Sequence, residues 1–188
     1  MKHAQVLIVH GSPRRHGYSS FLAGRAAQGV AEAGGRHQDL YLHGMNIEPC
    51  SACNACRKKG ARFCAIKDDM AEIYPKIVNC SALLLAGPVY WFTVSAQMKL
   101  FLDRCYGLNV ESTHCLRGTK VGAILSYGDT DPYRAGAVNA IRALEDMFKY
   151  TDSRLVGVVY GTELGPKQRR AKHRTAEDAF RLGAMLAS

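Results

Sequence analysis

Short apolar runs alternate along the chain with longer stretches in which apolar residues return every three or four positions. Gln5-Val6-Leu7-Ile8-Val9 is continuous and breaks at Gly11-Ser12-Pro13, the pattern of a strand buried on both faces that ends in a turn. Phe21, Leu22, Ala26, Ala27, Val30 and Ala31 then keep helical spacing. Ser19 or Ser20 can cap that helix, and Gly34-Gly35 ends it. The same grammar predicts a weaker strand over 37–42, a helix over 69–80 that Pro75 should kink or shorten, and the strongest strand at Ala82-Leu83-Leu84-Leu85-Ala86. A helix over 95–106, a strand over 120–126, a helix over 132–150, a strand over 155–160 and a last helix after Pro166 follow.

Apolar strands alternating with amphipathic helices call for an α/β fold with a parallel sheet covered on both faces, and right-handed crossovers leave few topologies. Five strands point to a three-layer, doubly wound, flavodoxin-like sheet of order 2-1-3-4-5. No repeat or low-complexity linker divides the 188 residues, so the expectation is one domain over 1–188 with an irregular, Cys-rich insert at about 44–67.

Composition narrows the class. With 47% hydrophobic and 22% charged residues, disordered, collagen-like and coiled-coil readings fall away. The longest apolar stretches, such as 82–89, fall short of the roughly 18 residues that cross a bilayer, and the N-terminus lacks a signal-peptide core, so a cytoplasmic protein without membrane partners is expected. A net charge of +9 favours anionic ligands, nucleotide phosphates or nucleic acid. The basic run from Lys167 to Arg174 reads as a solvated helix start, and nucleic acid is not expected as a partner, because the loops at the strand ends account for more residues than charge does.

In an open parallel sheet, ligands bind beyond the carboxyl ends of the strands at the switch point. Here that is the loop from Gly11 to Ser20. Hydroxyls of Ser12, Ser19 and Ser20, amides at the helix start and a guanidinium from Arg14 or Arg15 can hold a phosphate monoester, and Gly17 lets the backbone approach. The loop has neither Gly-x-Gly-x-x-Gly spacing nor a Walker ending. After the third strand, Pro88-Val89-Tyr90-Trp91-Phe92 places three aromatics at a strand end, where a planar amphipathic ligand can lie. A hydrophobic interface patch is the alternative.

These two loops, the helix opening Ser95-Ala96-Gln97-Met98-Lys99 with Asp103-Arg104, and the Cys box leading into Lys67-Asp68-Asp69-Met70 together resemble the NAD(P)H-dependent FMN reductase family of the flavodoxin-like superfamily. The resemblance implies FMN as cofactor and NAD(P)H as co-substrate. It implies the phosphate on Ser12, Arg14, Gly17, Ser19 and Ser20, the isoalloxazine against Pro88, Val89, Tyr90, Trp91 and Phe92, and a third contact from Ser126, Tyr127 and Gly128. Tyr18 stands where such loops often carry Asn. Hydride would pass from NAD(P)H to the flavin and electrons on to a small acceptor such as a quinone or flavin, with no side chain needed as general acid. Homodimers or homotetramers are common among proteins of this resemblance.

Cys50, Cys53, Cys56 and Cys64 form the sharpest local motif. Three thiols at three-residue intervals and a fourth returning from the loop suit a 4Fe-4S cluster, and the pattern resembles the compact motif of iron-sulfur flavoproteins. Zinc and reactive free thiols are the other readings, and Arg57, Lys58, Lys59, Arg62 and Lys67 would favour thiolates in any of them. A cluster would change the function to single-electron relay between FMN, the 4Fe-4S centre and a ferredoxin-like partner. Cys80, Cys105 and Cys115 read as small buried residues, and His10 as packed at the end of the first strand. Asp68-Asp69 reads as a helix cap, and Lys99, Asp103 and Arg104 as a surface ion-pair row.

Overall fold

A computed structural model describes residues 4–110, 113–162 and 168–188. The elements run β1 (Gln5–His10), α1 (Tyr18–Glu32), β2 (Arg36–Tyr41), α2 (Met70–Asn79), β3 (Ala82–Tyr90), β4 (Thr93–Val94), α3 (Ala96–Arg104), β5 (Asn109–Val110), β6 (Thr113–His114), β7 (Lys120–Ser126), α4 (Ala137–Tyr150), β8 (Arg154–Gly161) and α5 (Gln168–Ala187). Pro166 and Lys167, which the sequence places at the start of the last helix, lie outside the described residues.

The five long strands lie parallel in the order β2-β1-β3-β7-β8, which is the expected 2-1-3-4-5 arrangement. Successive strand residues face opposite layers, as the pleat requires. Leu7 and Val9 join Leu83 and Leu85 under α2, α3 and α4, while Val6 and Ile8 join Leu84 and Ala86 under α1 and α5. Both layers are apolar, which is why these strands read as unbroken hydrophobic runs.

The α1–α5 contact is close enough to exclude side chains. A Cβ on Gly29 would stand 2.0 Å from the Phe180 carbonyl oxygen, and one on Gly183 would stand 1.9 Å from that of Ala26. Glycine at both positions lets the two backbones touch.

Several local expectations are corrected. Neither Ser19 nor Ser20 caps α1; Gly17 occupies the cap with no side-chain hydrogen bond, and Ser19 is buried in the first turn. Helix α2, at Met70–Asn79, contains Pro75 and is two residues shorter than the 69–80 read from the pattern. Helix α4 begins at Ala137, because residues 129–136 form hydrogen-bonded turns in which Asp129 and Asp131 accept from amides of Thr130, Asp131 and Tyr133. The short β4 folds back on β3, pairing Val89 with Val94 and Tyr90 with Thr93. Of the supposed surface row, Lys99 and Asp103 do pair in solvent at 2.6 Å, whereas Arg104 is only 1% exposed and bonds Asp68.

Candidate active site

The strand ends at the switch point enclose a cleft of about 380 Å³ lined by Ser12, Arg14, Gly17, Tyr18, Ser19, Pro88, Val89, Tyr90, Ser126, Tyr127, Gly128 and Thr162. Three loops distant in sequence therefore meet where the sheet topology requires. Ten of the thirteen cleft residues expected from sequence line it. Ser20, Trp91 and Phe92 do not. Tyr18 and Thr162 were not anticipated; Tyr18 stands beside Gly17, and Thr162 directly follows β8, so the strand-end rule could have found the latter.

The first loop is organised around one carbonyl. The Arg14 oxygen accepts from the Gly17 amide (3.1 Å), from Ser20 Oγ (3.1 Å) and from Ser12 Oγ (3.3 Å), while Ser12 Oγ accepts from the Arg14 amide (3.1 Å). Ser20 is thus spent on bracing the loop. A Cβ on Gly17 would sit 3.3 Å from Arg14 Cβ and 3.7 Å from Ser12 Oγ, filling the concavity in front of the uncapped α1 terminus. First-turn amides facing such a hollow form an anion site. Helix α3 anchors the loop from beneath: Ser95 Oγ donates to the Gly11 oxygen at 2.6 Å and accepts from the Met98 amide.

The aromatic loop is a two-residue hairpin turn with Trp91 (φ 46°) and Phe92 (φ 68°) both in left-handed backbone. Such turns favour Asn-Gly, and bulky residues there are strained. Trp91 is 91% exposed, Phe92 51% and Tyr90 43%. Gly136, itself left-handed at φ 73°, packs under this tip; a Cβ there would lie 2.4 Å from Phe92 Cα. Across the cleft, burial pushes the Tyr127 phenol up, aided by Tyr160 and the carboxylates of Asp131 and Asp129, so it remains a neutral donor near pH 7.

The edge strand carries a polar cluster at its end. His10 is buried at the end of β1, as expected; its Nε2 pairs with Asp39 Oδ1 at 2.7 Å and its ring stacks on Tyr41 at 4.2 Å. Arg15 lies over the Tyr41 ring at 4.3 Å. The hydrogen bond from His10 holds the Asp39 carboxyl below the usual carboxylate range.

Cys50 and Cys53 are exposed, and Cys56 and Cys64 half-buried. The backbone is left-handed at Ala52 and Asn54, on either side of Cys53. The turn brings the Ala55 amide and the Ser51 hydroxyl to the Cys53 sulfur, and they accordingly hold its thiol below the ordinary range. Burial, then the charges of Cys64, Cys50 and Cys53, push Cys56 up, so the four sulfurs share one electrostatic neighbourhood. As placed, no three Cys, His, Asp or Glu side chains among the described residues converge within ligating distance of one metal ion. Donor type and cationic surroundings fit a thiolate-bound cluster, and the sulfurs have to swing inward to share it.

Residues 4–162 match the family described as NADPH-dependent FMN reductase. The chain belongs to that family. Among curated relatives it is 37% identical over 123 residues to an iron-sulfur flavoprotein of Archaeoglobus fulgidus, covering 65% of this chain and 61% of that one. It is 31% identical over 153 residues to an iron-sulfur flavoprotein of Methanocaldococcus jannaschii, covering 81% and 76%. Among solved structures, the NAD(P)H:quinone oxidoreductase from Methanothermobacter marburgensis superposes with a TM-score of 0.77 at 20% identity, over 100% of this chain and 98% of that one, a likeness of fold. The family is one of FMN-dependent oxidoreductases, and the parallel sheet with its strand-end cleft is the flavodoxin-like arrangement. No helix of the described residues is long and apolar enough to cross a membrane.

Proposed function

We propose that this FMN reductase family member takes reducing equivalents from NAD(P)H at the strand-end cleft and delivers them through the Cys box as an iron-sulfur flavoprotein. The observation that carries the reading is the pairing, in one fold, of an anion cradle facing an aromatic strand end with a loop of four thiols in cationic surroundings. The 31% identity over 153 residues to an iron-sulfur flavoprotein supports it.

Bound FMN supplies hydride and single-electron chemistry. The chain's own residues bind and orient. Ser12, Ser19, the Arg14 guanidinium and the amides at the start of α1 hold the phosphate, and Gly17 leaves room for it. Ser20 keeps the loop in shape. Pro88, Val89 and Tyr90 line the wall against which the ring would be held, and the exposed Trp91 and Phe92 at the rim would shield it or meet a second subunit. Ser126, the neutral Tyr127 phenol and Gly128 supply oriented dipoles on the opposite wall. Cys50, Cys53, Cys56 and Cys64 would hold a 4Fe-4S cluster, which would supply single-electron chemistry toward a ferredoxin-like protein or a small acceptor.

Flavin and iron are quantified on protein purified without oxygen. FMN with about four irons per chain is expected for a 4Fe-4S centre; FMN without iron leaves a thiol-rich reductase with a small-molecule acceptor, and absence of flavin after reconstitution overturns the reading. Ser12→Ala with Ser19→Ala should weaken FMN binding, at about 1.5–3 kcal/mol for each charge-assisted hydrogen bond lost. Titration of apoprotein with FMN checks this, and unchanged affinity removes these hydroxyls from the phosphate site.

A further inference from the structure

The Cys box is closed at its neck by a buried ion pair. Arg104, the last residue of α3, donates from Nη1 to Asp68 Oδ2 at 2.5 Å and to the Glu48 carbonyl at 2.6 Å, and from Nη2 to Asp68 Oδ1 at 3.1 Å. Asp68 in turn accepts from the amides of Glu48 (2.9 Å) and Met70 (3.0 Å). Glu48 and Asp68 bracket the four cysteines, and a second pair of bonds between Asn46 and Asp69 zips the same neck. Both charged side chains are wholly removed from solvent. This is far more than a helix cap needs.

The same corner of the fold seats Cys64. A Cβ on Gly107, three residues beyond Arg104, would lie 3.0 Å from the Cys64 amide nitrogen and 3.2 Å from its Cβ. Tyr74 donates to the Arg104 carbonyl at 2.8 Å and stacks on Phe63 at 4.9 Å, which holds the residue before Cys64. Burial works against the Arg104 cation, and Asp68, Tyr74 and Cys64 outweigh it and push its pKa up. Arg104 Nε is buried and has no hydrogen-bond partner, so one donor of the guanidinium remains available. At the other end of α3, Ser95 holds the first loop through Gly11. Nine residues at 1.5 Å each make a strut of about 13 Å between the two sites.

We propose that Arg104 is the positioning residue of the Cys box: its pairing with Asp68 locks the loop neck to the end of α3 and so fixes the path on which Cys64 is presented. The lock does not depend on whether the box holds a cluster. A bidentate fork with a third bond to Glu48 is a task for arginine and not for lysine.

The test uses FMN-loaded protein, with and without reconstituted iron and sulfide. Arg104→Lys keeps the charge and loses the fork; Asp68→Asn with Arg104→Met removes both charges without leaving either one buried alone. FMN affinity, which Arg104 and Asp68 do not touch, reports that each variant is folded. Without iron, maleimide labelling of the half-buried Cys56 and Cys64 should accelerate at least about tenfold in both variants, given the charge-assisted bonds lost, while the exposed Cys50 and Cys53 report the unhindered rate. Unchanged labelling in a folded variant overturns the lock, whether or not the wild type takes up iron. With iron and sulfide supplied, both variants should retain less cluster than the wild type at equal FMN occupancy, because the neck that seats Cys64 is unlocked. Equal iron retention in the wild type and both variants overturns the lock, and a wild type that takes up no iron overturns the cluster reading while leaving the labelling test in force.

Discussion

Asp68 shows how one residue changes meaning between sequence and fold. Next to Asp69 and before an apolar run, it reads as a helix cap, and it does accept the Met70 amide. Its partner Arg104 was not legible, because 36 residues separate them and arginine after Lys99 and Asp103 looks like one more solvated charge. Burial alone would push the Asp68 carboxyl up; the Arg104 bond and the Glu48 and Met70 amides outweigh it and hold the group below the usual range. A folded-state pKa below the unfolded one stabilises the fold above about pH 4, and that contribution disappears as pH falls through the folded value. Asp68→Asn should therefore cost about 3–5 kcal/mol at neutral pH by stranding Arg104. The gap to wild type should narrow as pH falls below about 4, where the unfolded carboxyl takes up its proton first, and the narrowing should continue until the native carboxyl is protonated at its lower folded-state value. Urea unfolding between pH 7 and pH 3 measures it, and a gap constant across that range would mean that the ion pair is not its source.

At the scale of elements, strand order was legible because the central parallel strands β1, β3 and β7 are buried on both faces and so write themselves as apolar runs, whereas the edge strand β2, exposed from Arg36 to Asp39, reads only weakly. The hairpin β3–β4 was not, since Tyr90-Trp91-Phe92-Thr93 contains none of the Gly, Asn or Asp that normally signal a two-residue turn. The cap of α1 was misread for the opposite reason: two serines advertised a cap, yet one is buried and the other braces the Arg14 carbonyl. The α1–α5 contact was equally silent, because Gly29 and Gly183 in helical runs look like weak helix formers and not like contact points. Their closeness predicts that Gly29→Ala forces the helices apart and costs at least about 1–3 kcal/mol, the range for overpacking. Chemical denaturation should show the midpoint falling. Gly24→Ala in the same helix, where an added Cβ meets nothing within 4 Å, should instead be neutral or stabilising.

For the whole molecule, the net charge of +9 acts at long range. Reduction of an anionic acceptor such as ferricyanide should slow as ionic strength rises, whereas reduction of a neutral quinone should change little; stopped-flow traces at low and high salt separate the two. Equal salt dependence would mean that charge does not steer the acceptor. The strained tip beside the cleft has another use. Trp91 is the sole tryptophan in the chain and stands almost wholly in solvent. Excitation selective for indole therefore interrogates a single address, the rim of the cleft, and the protein carries its own optical reporter there: occupancy by a yellow chromophore or burial by a neighbouring subunit can be followed by light emission, with no label attached.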